Sequence, residues 1–217
     1  MTLIPQADNS YDPVAEEYAN QFFDELQHKP FDRRLLDRLV AGTLGLGPVC
    51  DLGCGPGHIA RYLKDHGAEA LGVDISQKMV EAARRLNPDI PFHAADMRKL
   101  PVKDGSWGGI AAFYSIIHVP KPQAVGVLRE MHRVLIPGGF LLVAFHIGDE
   151  VIHLDEWWDK SVSLDFYFYG LEEMQTYVRE AGFSPEESLE REPYIDVEHP
   201  SQRGYILAKK QPSVSNK

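Results

Sequence analysis

The sequence predicts an α/β fold, a three-layer sandwich on a predominantly parallel sheet, and three observations carry it. Short apolar runs alternate with amphipathic helical stretches between residues 48 and 146, the spacing at which crossover helices join parallel strands. The chain has 217 residues, 44% of them hydrophobic, enough to bury one good core. It shows neither an internal repeat nor a long linker, so a single domain over 1–217 is expected.

The elements follow in order. From Asp12 to Leu26, Val14, Ala15, Tyr18, Ala19, Phe22, Phe23 and Leu26 form an apolar stripe, with Asp12 as cap and Pro13 in the first turn. A second helix, FDRRLLDRLVAGTL, follows Pro30 and runs into glycines. PVCDL reads as a buried strand, with a helix from about Gly57 to His66. EALGVDI is the second strand, and Ser76 caps a helix through Leu86. IPFHAAD and WGGIAAFYSI are the third and fourth strands. KPQAVGVLREMHRVL is a helix stopped at Pro137-Gly138-Gly139, and FLLVAFHIG is the fifth strand. The aromatic stretch 149–170 reads as an extra hairpin or loop before the helix LEEMQTYVREAG. FSPEESLERE and RGYILAKKQ are strand-like with nothing helical between them, so the last strand is expected antiparallel to its neighbour. The expected organisation is a helical cap (1–47), a ligand-binding core (48–146), an insertion (147–170), a C-terminal helix and strands (171–210), and a disordered tail (211–217).

Composition removes several function classes. No apolar run reaches the roughly eighteen residues of a membrane span. The N-terminus has neither the basic nor the apolar region of a signal peptide. Cys50 and Cys54 are too few for a disulfide framework and lack a zinc-site pattern, which fits a reducing, cytoplasmic compartment. The net charge is −10, and residues 149–198 hold fifteen acidic against three basic residues. Such a segment repels phosphate backbones, so nucleic acid is not an expected partner. It reads as a solvated acidic surface, or as a preference for neutral or cationic ligands.

The stretch VCDLGCGPGHIARYL, residues 49–63, is a strand–glycine–helix turn. A phosphate-binding P-loop needs Lys and Ser/Thr after its last glycine, where this chain has His58-Ile59. A dinucleotide turn needs a small residue at the sixth position from Gly53, where His58 stands. The spacing is instead D-x-G-x-G-x-G, with Asp51, Gly53, Gly55 and Gly57. Asp74 ends the second strand 21 residues beyond Gly53, where a carboxylate accepts both hydroxyls of a ribose. AADMRKLP follows with Asp96 and Met97, then FYSIIHVP, then RVLIPGGFLLVAFH.

These five motifs in order, over residues 48–146, resemble the class I S-adenosylmethionine-dependent methyltransferase family, in particular small-molecule enzymes of the ubiquinone/menaquinone-biosynthesis-like group. The resemblance implies a Rossmann-like seven-stranded sheet and S-adenosyl-L-methionine as cofactor. It places Asp51, Gly53, Cys54, Gly55 and Gly57 against the methionine moiety, with Cys54 a small filler of the turn. Asp74, Ile75 and Met79 fall at the ribose, and Asp96 and Met97 at the adenine. Tyr114 and Ser115 close the set after the fourth strand. YDPVAEEYA is similar to the opening of many small-molecule methyltransferases, where a helix covers the cofactor, and Tyr11 and Tyr18 are its candidates for a water-excluding lid. Core burial of that stripe is the structural alternative.

Methyl transfer is an in-line displacement, so positioning does much of the work and a base is needed only when the acceptor must lose a proton. His118, after the fourth strand, is the general-base candidate because an ordinary imidazole titrates near neutrality; the alternative is a packing histidine. His146, Trp157, Tyr167 and Tyr169 are acceptor-side candidates. His146, His153 and Asp155 match no metal-ligand spacing, and no metal is expected. An Asn/Asp-Pro-Pro-Tyr motif of nucleic-acid methyltransferases would fall where FYSI stands. The expected function is methyl transfer to a small-molecule acceptor. A protein methyltransferase, a cofactor-binding sensor or a non-catalytic partner subunit stays open.

Overall fold

The structure, a computed structural model, describes residues 11–212; the predicted tail lies largely outside the described residues. Seven strands form one sheet in the order β3-β2-β1-β4-β5-β9-β8: β1 (Val49–Leu52), β2 (Ala70–Asp74), β3 (Phe92–Ala94), β4 (Trp107–Phe113), β5 (Leu135–His146), β8 (Phe183–Arg191) and β9 (Arg203–Lys210). β9 is antiparallel to both its neighbours, β5 and β8, and the others run parallel, as predicted. β6 (Val151–Trp157) and β7 (Lys160–Tyr167) form a separate hairpin. The helices are α1 (Ala15–Phe22), α2 (Pro30–Thr43), α3 (His58–Asp65), α4 (Gln77–Leu86), α5 (Lys121–Val134) and α6 (Leu171–Glu180). No helix among the described residues is long and apolar enough to cross a membrane.

Side-chain alternation along β5 divides the core. Leu142 and Ala144 face Leu35, Leu36 and Leu39 of α2 and Ile59 and Leu63 of α3. Leu141, Val143 and Phe145 face Val127, Leu128 and Met131 of α5 and Met174 and Val178 of α6. α4 packs over β3 through Val80, Ala83, Ile90 and Phe92.

Three elements differ from the prediction. The first helix is interrupted: a 3-10 turn (Asp12–Val14) leads into α1, and a second (Glu25–His28) leads out of it. The break turns Glu25 inward to His58 and Lys29, which a continuous helix would have left on its polar face. Asp12 does not cap its own helix; it accepts from Ser76 Oγ at 2.5 Å and from the Lys78 N–H at 3.3 Å. β5 begins at Leu135, before the glycines: Trp107 faces Leu135, then Gly109 faces Phe140, and Pro137-Gly138 sits in the bulge between, where a missing N–H costs no ladder bond.

Asp32 on α2 is buried and binds the far edge of the sheet. It accepts from Tyr205 Oη of β9 at 2.5 Å and from Arg191 Nη2 of β8 at 3.1 Å. Burial pushes its carboxyl up, and the Tyr205 hydroxyl and Arg191 oppose that push. Asp32→Ala is expected to destabilise by about 3–5 kcal/mol, because it leaves part of a buried charge cluster uncompensated. Urea unfolding checks this, and a loss below about 1 kcal/mol would show that Glu198 alone satisfies Arg191.

Candidate functional site

The strand order reverses between β1 and β4, and the crevice beyond their carboxyl ends is where open α/β sheets bind ligands. A cleft of about 450 Å³ lies there, within the range of small-ligand sites.

Its floor is the glycine turn. Gly53, Gly55 and Gly57 have φ of +77°, +50° and +84°, a region that disfavours side chains. A Cβ on Gly53 would lie 2.2 Å from Ser115 Cβ, and one on Gly57 2.7 Å from Phe92 Cζ. Gly57 caps α3 and is not part of the cleft wall, unlike Gly53, Cys54 and Gly55. Two carboxylates fix the turn from below. Asp51 Oδ2 accepts from the Ala60 N–H at 2.9 Å, supplying the cap that Gly57 lacks. Asp74 Oδ2 accepts from the Gly55 N–H and Oδ1 from the Ser76 N–H, both at 2.8 Å. A carboxylate offers about four acceptor sites, so Asp74 keeps capacity on the cleft side. Burial pushes its carboxyl up against these two bonds, and the nearby Asp12 charge adds to the push.

Ile75, Met79, Asp96 and Met97 also line the cleft. Asp96 is engaged by Arg98 Nε at 2.9 and 2.8 Å. Ser115 lines it as well, its Oγ donating to Leu52 O at 2.6 Å and tying β4 to β1. Tyr114 borders the cleft while its hydroxyl meets Tyr205 Oη at 2.9 Å behind the wall.

Tyr11, Tyr18 and Glu25 of the N-terminal segment form one side of the cleft, and Ser163, Leu164, Asp165 and Tyr167 of β7 another. Burial raises both tyrosine hydroxyls, so they stay protonated. Glu25 Oε1 lies 3.1 Å from His58 Nε2 and Oε2 lies 2.8 Å from Lys29 Nζ. Burial works against its charge, but His58 and Lys29 hold it at about 2. His118 Nδ1 lies 2.9 Å from the Asp165 carbonyl and Nε2 lies 2.9 Å from Tyr11 Oη. A carbonyl only accepts, so Nδ1 carries the hydrogen; in the neutral ring Nε2 accepts from Tyr11.

Three acceptor-side candidates stand elsewhere. Tyr169 is fully buried in the core and its hydroxyl donates to Val119 O, because the chain leaves the hairpin after Tyr167 and turns it inward. His146 lies behind Tyr114, held by Ser201 Oγ at 2.8 Å and Arg203 Nη1 at 2.9 Å; burial pushes its pKa down to about 3. Trp157 packs against Tyr11 and Tyr18 outside the cleft wall and supports them. Among the described residues no group of three or more His, Cys, Asp or Glu could hold a metal.

Sequence reasoning missed Glu25, His58, Gln123 and Asp165. Of these His58 carried a signal, since it follows the glycine turn directly; the other three reach the cleft through tertiary packing.

A nucleoside-binding crevice at the switch point, a three-glycine turn and two strand-end carboxylates define the class I methyltransferase type of α/β fold. Residues 49–139 match the family model described as a methyltransferase domain. Demethylmenaquinone methyltransferase of Beutenbergia cavernae is 38% identical over 114 residues, covering 51% of this chain and 47% of that protein. The 27-O-demethylrifamycin SV methyltransferase of Amycolatopsis mediterranei is 36% identical over 174 residues, covering 70% and 60%. The chain thus spans about half the length of the curated relatives it matches. The crystal structure of a SAM-dependent methyltransferase from Methanosarcina mazei superposes with a TM-score of 0.69 at 16% identity, covering 76% of this chain and 92% of that one. S-adenosyl-L-methionine is the cofactor expected of this domain. The cleft fits it: Asp74 has spare acceptor capacity, the glycines admit close approach, and Glu25 provides negative charge for a cationic ligand.

Burial pushes the Asp51 carboxyl up to about 7, against His58 and the Ala60 bond. An unfolded Asp titrates near 3.9, so between the two values the folded chain holds more protons and stability falls as pH rises. Asp51→Asn is therefore expected to unfold at higher urea than wild type at pH 8, by about 1–3 kcal/mol, and the gain should shrink toward pH 4. Equal midpoints at pH 8 would show that Asp51 ionises without penalty.

Proposed function

We propose that this chain transfers a methyl group from S-adenosyl-L-methionine to a small-molecule acceptor. The observation that carries the reading is one cleft holding the Asp74 and glycine-turn site together with His118 and a hydroxyl already on its Nε2. The cofactor supplies an electrophilic methyl group on a sulfonium that leaves readily. Asp74 holds the ribose, Asp96 and Met97 the adenine, and Gly53 and Gly55 admit the methionine moiety. Glu25 offsets positive charge. Tyr11, Tyr18 and the β6–β7 hairpin exclude water.

His118 receives the acceptor's proton on Nε2. The bond from Nδ1 to Asp165 O fixes the tautomer that makes Nε2 the basic nitrogen, and it orients the ring. The Tyr11 hydroxyl sits where an acceptor O–H or N–H would approach. Glu25, Asp51, Asp74, Asp96 and Asp165 all border the cleft, which disfavours nucleic acid and supports a neutral or cationic acceptor. The relatives named for small-molecule methylation favour this class over a protein acceptor. Cys50 and Cys54 are both free and buried, consistent with a reducing cytoplasm.

Calorimetry of the cofactor-free chain is expected to show micromolar binding of S-adenosylmethionine and S-adenosylhomocysteine, no binding of NAD, and about tenfold or greater weakening in Asp74→Ala. Binding of NAD alone would sink the reading. With an acceptor from a turnover screen, His118→Ala should lower kcat by about 10²–10⁴ with cofactor affinity kept; an unchanged kcat would remove His118 as base.

A further inference from the structure

Tyr11 and Asp12 are adjacent, yet their side chains grip opposite sides of the cleft. The Tyr11 hydroxyl meets His118 Nε2 at 2.9 Å, on the acceptor side. Asp12 Oδ1 accepts from Ser76 Oγ at 2.5 Å and from the Lys78 N–H at 3.3 Å, at the start of α4. Ser76 is fully buried and uses its polar groups on both carboxylates: its hydroxyl donates to Asp12, and its N–H donates to Asp74 Oδ1 at 2.8 Å. Ser76 Oγ also accepts from the Met79 N–H at 3.1 Å and so caps the helix. The position of Ser76 therefore sets both the first turn of α4 and the angle of the Asp74 carboxylate. The rest of the segment is held by packing, with Tyr11 and Tyr18 against Trp157, and by exposed ion pairs. Val14 packs on Val162 and Leu164 of the hairpin, and exposed pairs join Glu16 to Arg85 and Glu17 to Lys160.

We propose that Asp12 is a positioning residue that couples closure of the N-terminal segment over His118 to occupancy of the cofactor site at Asp74. This rests on the cofactor reading above. With Asp12 seated, Ser76 is held from two directions and Asp74 is preorganised for a diol; unseated, Ser76 is free on its hydroxyl side and Asp74 loses that orientation. The coupling is reciprocal: whatever factor the seated segment adds to cofactor affinity, bound cofactor adds to the seating.

The test is calorimetric titration with S-adenosylhomocysteine plus amide hydrogen exchange over residues 11–22, on the full chain and its variants. In wild type the nucleoside should bind and slow exchange in that segment. Asp12→Ala should bind about 5–20-fold more weakly and lose the slowing, while Asp12→Asn, which keeps a carbonyl acceptor for Ser76, should recover to within about threefold. Arg85→Ala, which severs only the exposed pair with Glu16, should bind as wild type. Wild-type affinity in Asp12→Ala, or an equal loss in Arg85→Ala, would overturn the assignment. Should Asp12→Ala not fold, the wild-type exchange arm decides alone: binding without slower exchange in 11–22 overturns the coupling. Absence of binding in wild type would instead remove the cofactor reading itself.

Discussion

The hydrogen bond from the Gly55 N–H to Asp74 Oδ2, at 2.8 Å, is the constraint around which the cleft is arranged. It joins the turn after β1 to the end of β2, so the cradle and the carboxylate that faces it move as one body. For it to form, the turn must run through the left-handed region at Gly53, Gly55 and Gly57, with Ser115 and Phe92 packed where side chains would stand. The Gly53 and Cys54 N–H groups both donate to Val73 O, which holds the turn flat against β2. Asp51 then anchors α3 through Ala60. Each of these bonds occupies a backbone N–H of the turn, which is why a short loop can stay rigid beside an open cavity.

Charge is distributed by the same logic. Asp51 is buried and Asp74 half-buried, no lysine or arginine among the described residues pairs with either, and desolvation pushes both carboxyls up. Other interior acids are paired, Glu25 at the cleft among them. Glu25 meets His58 and Lys29, and Glu198 meets Arg191 at 2.6 Å and Lys29 at 3.4 Å. The acidic excess of residues 149–198 is therefore only partly a solvated surface; Glu198 is an interior anchor for the β8–β9 connection. Asp51 and Asp74, the two without a lysine or arginine partner, both line the cleft.

Most of the fold was legible because its signals are local. Strand–helix alternation, Ser76 as a cap and the glycine turn depend on residues close in sequence, and each appears where predicted. The cofactor half of the candidate site was legible for the same reason, since its residues sit at strand ends. The acceptor half was not. Tyr169 and Tyr167 are two apart, yet the chain leaves the hairpin between them and one enters the core while the other borders the cleft. Glu25 reaches the cleft only because the first helix breaks, and Asp12 is taken from its own helix by Ser76, 64 residues away. Periodicity cannot report contacts that span the chain.

Tyr114 shows how the two halves are joined. It is a non-glycine residue with φ of +50° at the end of β4, a conformation costing about 1 kcal/mol or more for an L-residue. Several contacts hold it there: its N–H donates to Ala144 O at 2.9 Å, its hydroxyl meets Tyr205, and Lys29 and Arg203 each lie 5.5 Å from its ring centroid. Relaxing that residue to an extended conformation would carry β4 onward and swing Ser115 away from Leu52 O, the bond that seats it against Gly53. The strain is thus what bends the chain across the cleft, setting Ser115 on the cofactor side and delivering His118, three residues on, to the acceptor side. The buried charges behind Tyr114, none of them in the cleft, stabilise the bend on which both halves depend.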